Sequence, residues 1–146
     1  SDLLEGQAGR SPASGALFRH RLRVYWEDTD AGGVVFFANY LKFFERARTE
    51  WLRALGFEQH RLKEEDGMAF VVAETTMRYL RPARLDDELD VTARLQDASN
   101  ATLTFGQQAW RRNELLAEGS IRICCVNAET FRPRRIPNDI LQRLSA

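Results

Sequence analysis

At 146 residues and 44% hydrophobic content, the chain has material for one ordinary hydrophobic core and too little for two. Its 21 Lys and Arg balance 21 Asp and Glu, so no bulk charge favours nucleic acid or a membrane surface. The only two cysteines, Cys124 and Cys125, are adjacent in an apolar alternating stretch, which excludes a disulfide framework or a four-cysteine metal site and marks them as reduced, buried packing residues.

Residues 1–16 are rich in Gly, Ser, Ala and Pro and lack the apolar middle of a signal peptide, and no unbroken apolar run of about 18 residues follows. The expectation is a flexible N-terminal tail over 1–16, one domain over 17–146, and a cytoplasmic protein. From His20 to Glu27 the sequence alternates, with Leu22, Val24 and Trp26 on one face, as in a half-buried strand. After the acidic run Glu27-Asp28-Thr29-Asp30 and Gly32-Gly33, apolar residues at Tyr40, Phe43, Phe44, Ala47, Trp51 and Leu55 predict a helix over 39–55, stopped by a left-handed Gly56. Leu41 and Leu52 widen its apolar stripe, so a sheet is expected to wrap around it. A polar connector is expected over 58–67. Strands are predicted at 70–80, 89–96, 102–110 and 117–126. Turn signals separate them: Arg81-Pro82 with Asp86-Asp87, then Ser99-Asn100, then a tight hairpin at 111–114. Short links between successive strands favour an antiparallel meander over parallel units, which need a helix at each crossover. A short helix starting near Pro137 would carry Ile140, Leu141 and Leu144.

The order of one strand, one long helix and four strands places an α+β fold around the acidic turn. A carboxylate beside a helix entrance is chemically suggestive. Unpaired N–H groups and the positive end of the helix dipole gather there and polarise a carbonyl as charge develops on its oxygen. A nearby carboxylate attacks an acyl carbon or deprotonates the water that does. Asp and Gly also build ordinary tight turns, so texture alone leaves a plain Asx-turn open. A calcium loop fails at Gly32 and Asn39, where ligands belong. His20 and His60 lack partners at metal-ligand spacing, and no metal site is expected. Glu45 stands beside the apolar stripe, at helical spacing from Arg48 and Thr49, with pairing to one of them expected. Trp26, Phe43, Phe44 and Trp51 are candidates for either an acyl pocket or plain core.

The run Arg23 to Tyr40 (RVYWEDTDAGGVVFFANY), then Phe44 to Glu50 (FERARTE) and Arg81 to Asp87 (RPARLDD), strongly resembles the YbgC and 4-hydroxybenzoyl-CoA thioesterase family. The resemblance spans about 120 residues. It implies a hotdog fold, a long central helix wrapped by a curved antiparallel sheet. It also implies acyl-CoA hydrolysis without a cofactor, coenzyme A being part of the substrate. Carried over residue by residue, the catalytic carboxylate falls on Asp30, as nucleophile or general base, and the polarising backbone N–H falls on Phe37. Many members carry a His where this chain has Phe37, so the two-residue Asp and His mechanism is not available here. Asn39 and Tyr40, in the same run, are assigned to substrate binding.

For coenzyme A phosphates the family uses cations at the start of a sheet strand and before the last helix. At the first place this chain has uncharged Ser99-Asn100-Ala101; at the second it has Arg132, Arg134 and Arg135. Arg132 and Arg134 are the expected phosphate ligands, with a solvated charged loop as the bland alternative. The family implies a homodimer with sites at its interface, further paired into a homotetramer, and acyl carrier protein as a possible second partner. A non-catalytic acyl-CoA or acyl-carrier-protein binding module is the competing function, suggested by Phe37. A dehydratase fits less well, because that chemistry wants a His facing an acid.

Overall fold

The computed structural model describes residues 17–146, and the tail expected over 1–16 lies outside the described residues. Five strands and three helices follow in the order β1 (Phe18–Arg23), α1 (Phe37–Ala54), α2 (Gln59–Asp66), β2 (Met68–Tyr79), β3 (Glu88–Ala98), β4 (Thr102–Arg111), β5 (Glu114–Asn127) and α3 (Asn138–Ser145). The strands form one antiparallel sheet in the order β1-β3-β4-β5-β2.

Period-two burial makes the sheet one-sided. Leu89, Val91, Ala93 and Leu95 of β3 point the same way as Leu103, Phe105 and Ala109 of β4 and as Ile121, Ile123 and Cys125 of β5, and all are buried. Across this face lies α1, burying Tyr40, Phe43, Phe44, Ala47, Trp51 and Leu52. Trp51 is gripped on two sides: Phe18 stacks on it at 6.2 Å and Phe105 meets it edge-on at 5.8 Å. Arg48 also turns inward, donating to Gln107 Oε1 at 2.8 Å, while Gln107 Nε2 donates to the Phe44 carbonyl at 2.9 Å. Burial without a bonded carboxylate lowers the Arg48 pKa from its ordinary value. Glu45 makes no hydrogen bond or close ion pair with Arg48 or Thr49 among the described residues and stays exposed, but its charge acts on Arg48, raising that pKa against the larger effect of burial.

Several expectations need correction. The first strand stops at Arg23, and Trp26 sits in a 3₁₀ turn (Trp26–Asp28) with 76% of its surface exposed. Only Val24 of the outer residues is buried there, because the chain leaves the sheet to form the acidic turn. The polar connector contains helix α2, whose single buried residue is Leu62. Its support is local: Arg61 pairs with Glu65 and His60 with Glu64 at helical spacing, and Gly67 closes it with φ 66°. Only β3, β4 and β5 form a meander, since β2 lies outside β5 rather than beside β3. The segment between β2 and β3 is spent on other contacts, described below. Gly56 takes φ 97° as expected, α3 begins directly after Pro137, and Arg112-Asn113 turn the last hairpin. Cys125 is buried and Cys124 half-buried, both as free thiols, and burial pushes the Cys125 thiol pKa up.

Trp51→Ala removes the ring between β1, α1 and β4. It is expected to cost about 3–5 kcal/mol of unfolding free energy in a urea titration.

Candidate active site

The acidic turn uses its two aspartates in different ways. Asp28 is only 6% exposed. Its Oδ2 accepts the Tyr25 amide at 2.9 Å, and its carbonyl accepts Asn39 Nδ2 at 2.7 Å, so it fixes the turn to the first turn of α1. Asp30 is half-buried, and its Oδ1 accepts the Gly32 amide at 2.8 Å and the Val34 amide at 3.4 Å. Its Oδ2 accepts no hydrogen bond among the described residues. The backbone closes around it, with Asp30 N donating to the Val34 carbonyl at 2.8 Å and Gly33 N donating to the Asp30 carbonyl at 3.0 Å. Gly33 takes φ 76°, a conformation that favours glycine, and a Cβ on Gly32 would press on Asp30 Oδ1 at 3.3 Å.

The segment between β2 and β3 holds this loop from outside. Val35 N donates to the Ala83 carbonyl at 2.8 Å, Leu85 N to the Gly33 carbonyl at 3.2 Å, and Val24 exchanges bonds with Asp86 and Asp87 at 2.9 and 2.8 Å. That segment is itself fastened by Asp87, whose Oδ2 accepts the Arg84 amide at 2.8 Å and Arg111 Nη1 at 2.6 Å. Arg111 reaches on to Glu114, and these two carboxylates raise its pKa from the ordinary arginine value. Tyr40 supplies a third anchor: its hydroxyl accepts the Ala83 amide at 3.0 Å and donates to the Arg81 carbonyl at 3.5 Å. Burial pushes its phenol pKa up, so the hydroxyl stays protonated.

Helix α1 opens at Phe37 after Phe36, whose carbonyl accepts the Asn39 amide at 3.0 Å. The Phe37 and Ala38 amides donate to no acceptor among the described residues, the ordinary condition of a first helical turn. The Phe37 ring is 66% exposed and stacks on Tyr79 at 4.6 Å, and Tyr79 in turn meets Tyr40 at 5.6 Å. Phe36, Leu41 and Leu80 are exposed as well. A cleft of about 1650 Å³ opens nearby, but its walls include Arg21, Arg23, Arg81, Asp87 and Glu88, not Asp30 or Phe37. Its charges pair with one another, which suits a structural brace better than an acyl pocket.

Asp30 and the Phe37 amide therefore belong to one loop and helix entrance. Asn39 and Tyr40 adjoin them, but both side chains are buried and bonded within the chain, so their visible work is positioning. Arg132 and Arg134 lie beyond β5, whose last residue Asn127 pairs with Met68 at the far end of β2 from Tyr79. Arg134 Nη1 donates to the Asp66 carbonyl at 2.8 Å, while Arg132 is exposed. The fastening by Asp87 and Arg111 was not anticipated from the sequence. The RPARLDD run signalled a turn, and nothing in it marked Asp87 as the acceptor for a strand arginine. No group of three or more potential metal ligands gathers among the described residues.

Residues 24–144 match the model of the thioesterase-like superfamily. The chain belongs to that superfamily. It is 43% identical over 123 residues to the acyl-CoA thioesterase YbgC of Haemophilus influenzae, covering 84% of this chain and 90% of that protein. It is 44% identical over 126 residues to the acyl-CoA thioester hydrolase YbgC of an Escherichia coli strain, covering 86% and 93%. A 1,4-dihydroxy-2-naphthoyl-CoA thioesterase from Synechocystis superposes with a TM-score of 0.82 over 88% of this chain and 96% of its own, at 21% identity, a likeness of fold alone. The architecture is the hotdog fold, as the resemblance in sequence implied.

Asn39→Ala leaves the buried Asp28 carbonyl without its donor. It is expected to lower unfolding free energy by about 1–3 kcal/mol, measured by thermal unfolding.

Proposed function

We propose that this chain hydrolyses an acyl-CoA thioester to a free acid and coenzyme A, with Asp30 as the catalytic carboxylate and the Phe37 N–H polarising the thioester carbonyl. The observation that carries the reading is the asymmetry of Asp30: two amides hold Oδ1, and no protein group engages Oδ2 among the described residues. Such a carboxylate is oriented yet chemically available; Asp28 is also bonded through one oxygen only, but it is buried at 6% exposure, whereas Asp30 is half-buried. Water adds to the acyl carbon as Asp30 takes its proton, or Asp30 itself adds and water then cleaves the resulting anhydride. In both routes the C–S bond breaks, the sulfur leaves as thiolate and is protonated, and the carbonyl oxygen carries transient negative charge at the start of α1. Acyl-CoA names on the YbgC relatives support this substrate class; in this reading the protein works in the cytoplasm and needs no cofactor of its own. The exposed Phe37 ring supports the competing reading of a binding module only if thiol release is absent.

The working form in this proposal is a homodimer, the unit from which the family's tetramers are built. Strand β1 is a short edge guarded by Arg19, Arg21 and Arg23, whereas β2 offers twelve residues with exposed Val72 and Tyr79. The β2–β5 pairing runs from Tyr79 opposite Ala117 to Met68 opposite Asn127, which at ~3.3 Å per residue puts the arginine segment roughly 35 Å along the strands from the catalytic end. Within a single chain, one coenzyme A would have to bridge that length. Two copies joined antiparallel along β2 about a two-fold axis bring the arginines of one beside Asp30 of the other. Acyl carrier protein, which presents the same phosphopantetheine arm, is the alternative thiol carrier.

Asp30→Asn preserves shape and removes the base, so kcat in a thiol-release assay is expected to fall about 10²–10⁴-fold with the fold intact. Full activity in that variant removes Asp30 from the mechanism. Mixing Asp30→Asn with Arg132→Glu chains is expected to regain activity at limiting acyl-CoA, because one site of each mixed dimer then has both residues. No regain would place both groups on one chain.

A further inference from the structure

One guanidinium holds both ends of the segment that crosses the acidic turn from outside. Arg111, the last residue of β4, donates through Nη1 to the Pro82 carbonyl at 3.2 Å and to Asp87 Oδ2 at 2.6 Å. Its Nε and Nη2 turn the other way, onto Glu114 Oε1 across the hairpin. That second contact orients the group, because a planar guanidinium anchored along one edge presents the other in a fixed direction. Between the two held ends, Asp86 takes φ 70°, a backbone state that costs energy for a residue with a Cβ. The segment over 82–87 is therefore kept in place partly against its own preference, and releasing its ends lets it relax.

What this segment holds is the loop that orients Asp30. The Ala83 carbonyl accepts Val35 N at 2.8 Å, Leu85 N donates to the Gly33 carbonyl at 3.2 Å, and Val34 pairs with Arg84 as an antiparallel bridge. Residues 33–35 are thus backed by 83–85 along their length. Val34 also supplies one of the two amides on Asp30 Oδ1, at 3.4 Å, and its carbonyl accepts the Asp30 amide at 2.8 Å. The 3.4 Å bond is already long, so a small outward shift of Val34 breaks it. Movement at Asp87 reaches the carboxylate through two hydrogen-bonded layers, although Arg111 never touches it.

We propose that Arg111 is a positioning residue for Asp30, acting through Asp87 and the segment 82–87, so that an ion pair on the charged cleft sets the turnover rate of a site it does not line. This rests on the thioesterase reading above. The pair contacts no proposed substrate group, so its effect falls on kcat and not on KM. Arg21 lies in the same cleft but bonds to Asp90 and Glu88 of β3, outside the segment, and serves as the control.

Arg111→Met and Asp87→Asn, made singly and together, test the assignment. Each single change is expected to lower kcat for thiol release roughly 10–10²-fold with KM for acyl-CoA unchanged. The double variant is expected to fall no further than the worse single one, because the same pair is broken in all three. Hydrogen exchange followed by NMR is expected to quicken at the Gly32 and Val34 amides while the β4 amides stay protected, which a general loss of stability does not do. Arg21→Met is expected to keep the parent kcat. Should Arg111→Met fail to fold, Asp87→Asn carries the same comparison, since it keeps an acceptor for the Arg84 amide. Unchanged kcat, or unchanged exchange at Gly32 and Val34, overturns the assignment and leaves the thioesterase reading intact. Additive losses, faster exchange throughout the sheet, or an equal loss in Arg21→Met overturn it in favour of a general structural role. A parent protein that releases no thiol overturns both readings.

Discussion

The buried hydrogen bond from Asn39 Nδ2 to the Asp28 carbonyl joins the acidic turn directly to the first turn of α1. On one side is a loop that has left the sheet after Arg23; on the other is the first turn of a helix whose apolar face is fixed against the sheet. Because the bond is buried, losing it strands a carbonyl away from water, so loop and helix move as one body. Everything the site needs follows from that coupling. Asp30 stands two residues from the bonded carbonyl, and the Phe37 amide two residues from the bonded amide side chain.

The loop is also gripped from outside, which explains the sheet order. Had the segment between β2 and β3 formed a tight hairpin, those strands would be neighbours. Instead Ala83, Leu85, Asp86 and Asp87 give their backbone groups to Val35, Gly33 and Val24, and β2 crosses to the far side of β5. The connection acts as a strap over the acidic turn, tied down by Arg111 through Asp87 and by the Tyr40 hydroxyl through Ala83. The charged cleft beside it is the outer face of that strap.

Periodicity made α1 and the strand set legible, because each element faces a single core and its apolar residues repeat with its geometry. It failed where that condition lapsed. Trp26 continued an alternation that the chain had already abandoned for a 3₁₀ turn, and α2 buries only Leu62, leaving no stripe to read. Gly67 and the two helical-spacing pairs were the available signals, each worth too little alone. Of the candidate site, the acidic turn and helix entrance were visible as chemistry. The division of labour between Asp28 and Asp30 was not, since two aspartates two positions apart look alike until one is buried. Asn39 and Tyr40 are a related case. Side chains beside a reactive group are chosen by proximity in sequence, whereas whether they touch a ligand or brace the loop depends on which way the helix faces. The Asp87–Arg111 fastening was invisible because it joins a turn to a strand 24 positions away.

The proposed site polarises the carbonyl through a backbone group, which makes the side chain at Phe37 free to vary. Were the carbonyl to be polarised by a side chain, replacing the imidazole common at this position with a phenyl ring would remove the donor. A main-chain N–H at the start of α1 is indifferent to that exchange, provided the helix begins at the same residue. Here the ring stacks on Tyr79, and the Phe37 amide donates to no acceptor among the described residues. The substitution therefore trades an ionisable group for an apolar wall, concentrating the acid–base burden of the proposed mechanism on Asp30. It also adds an exposed ring to the exposed apolar residues Phe36, Leu41 and Leu80. In the proposed reading, the reliance on a single carboxylate and the apolar surface offered to a second copy both trace to Phe37.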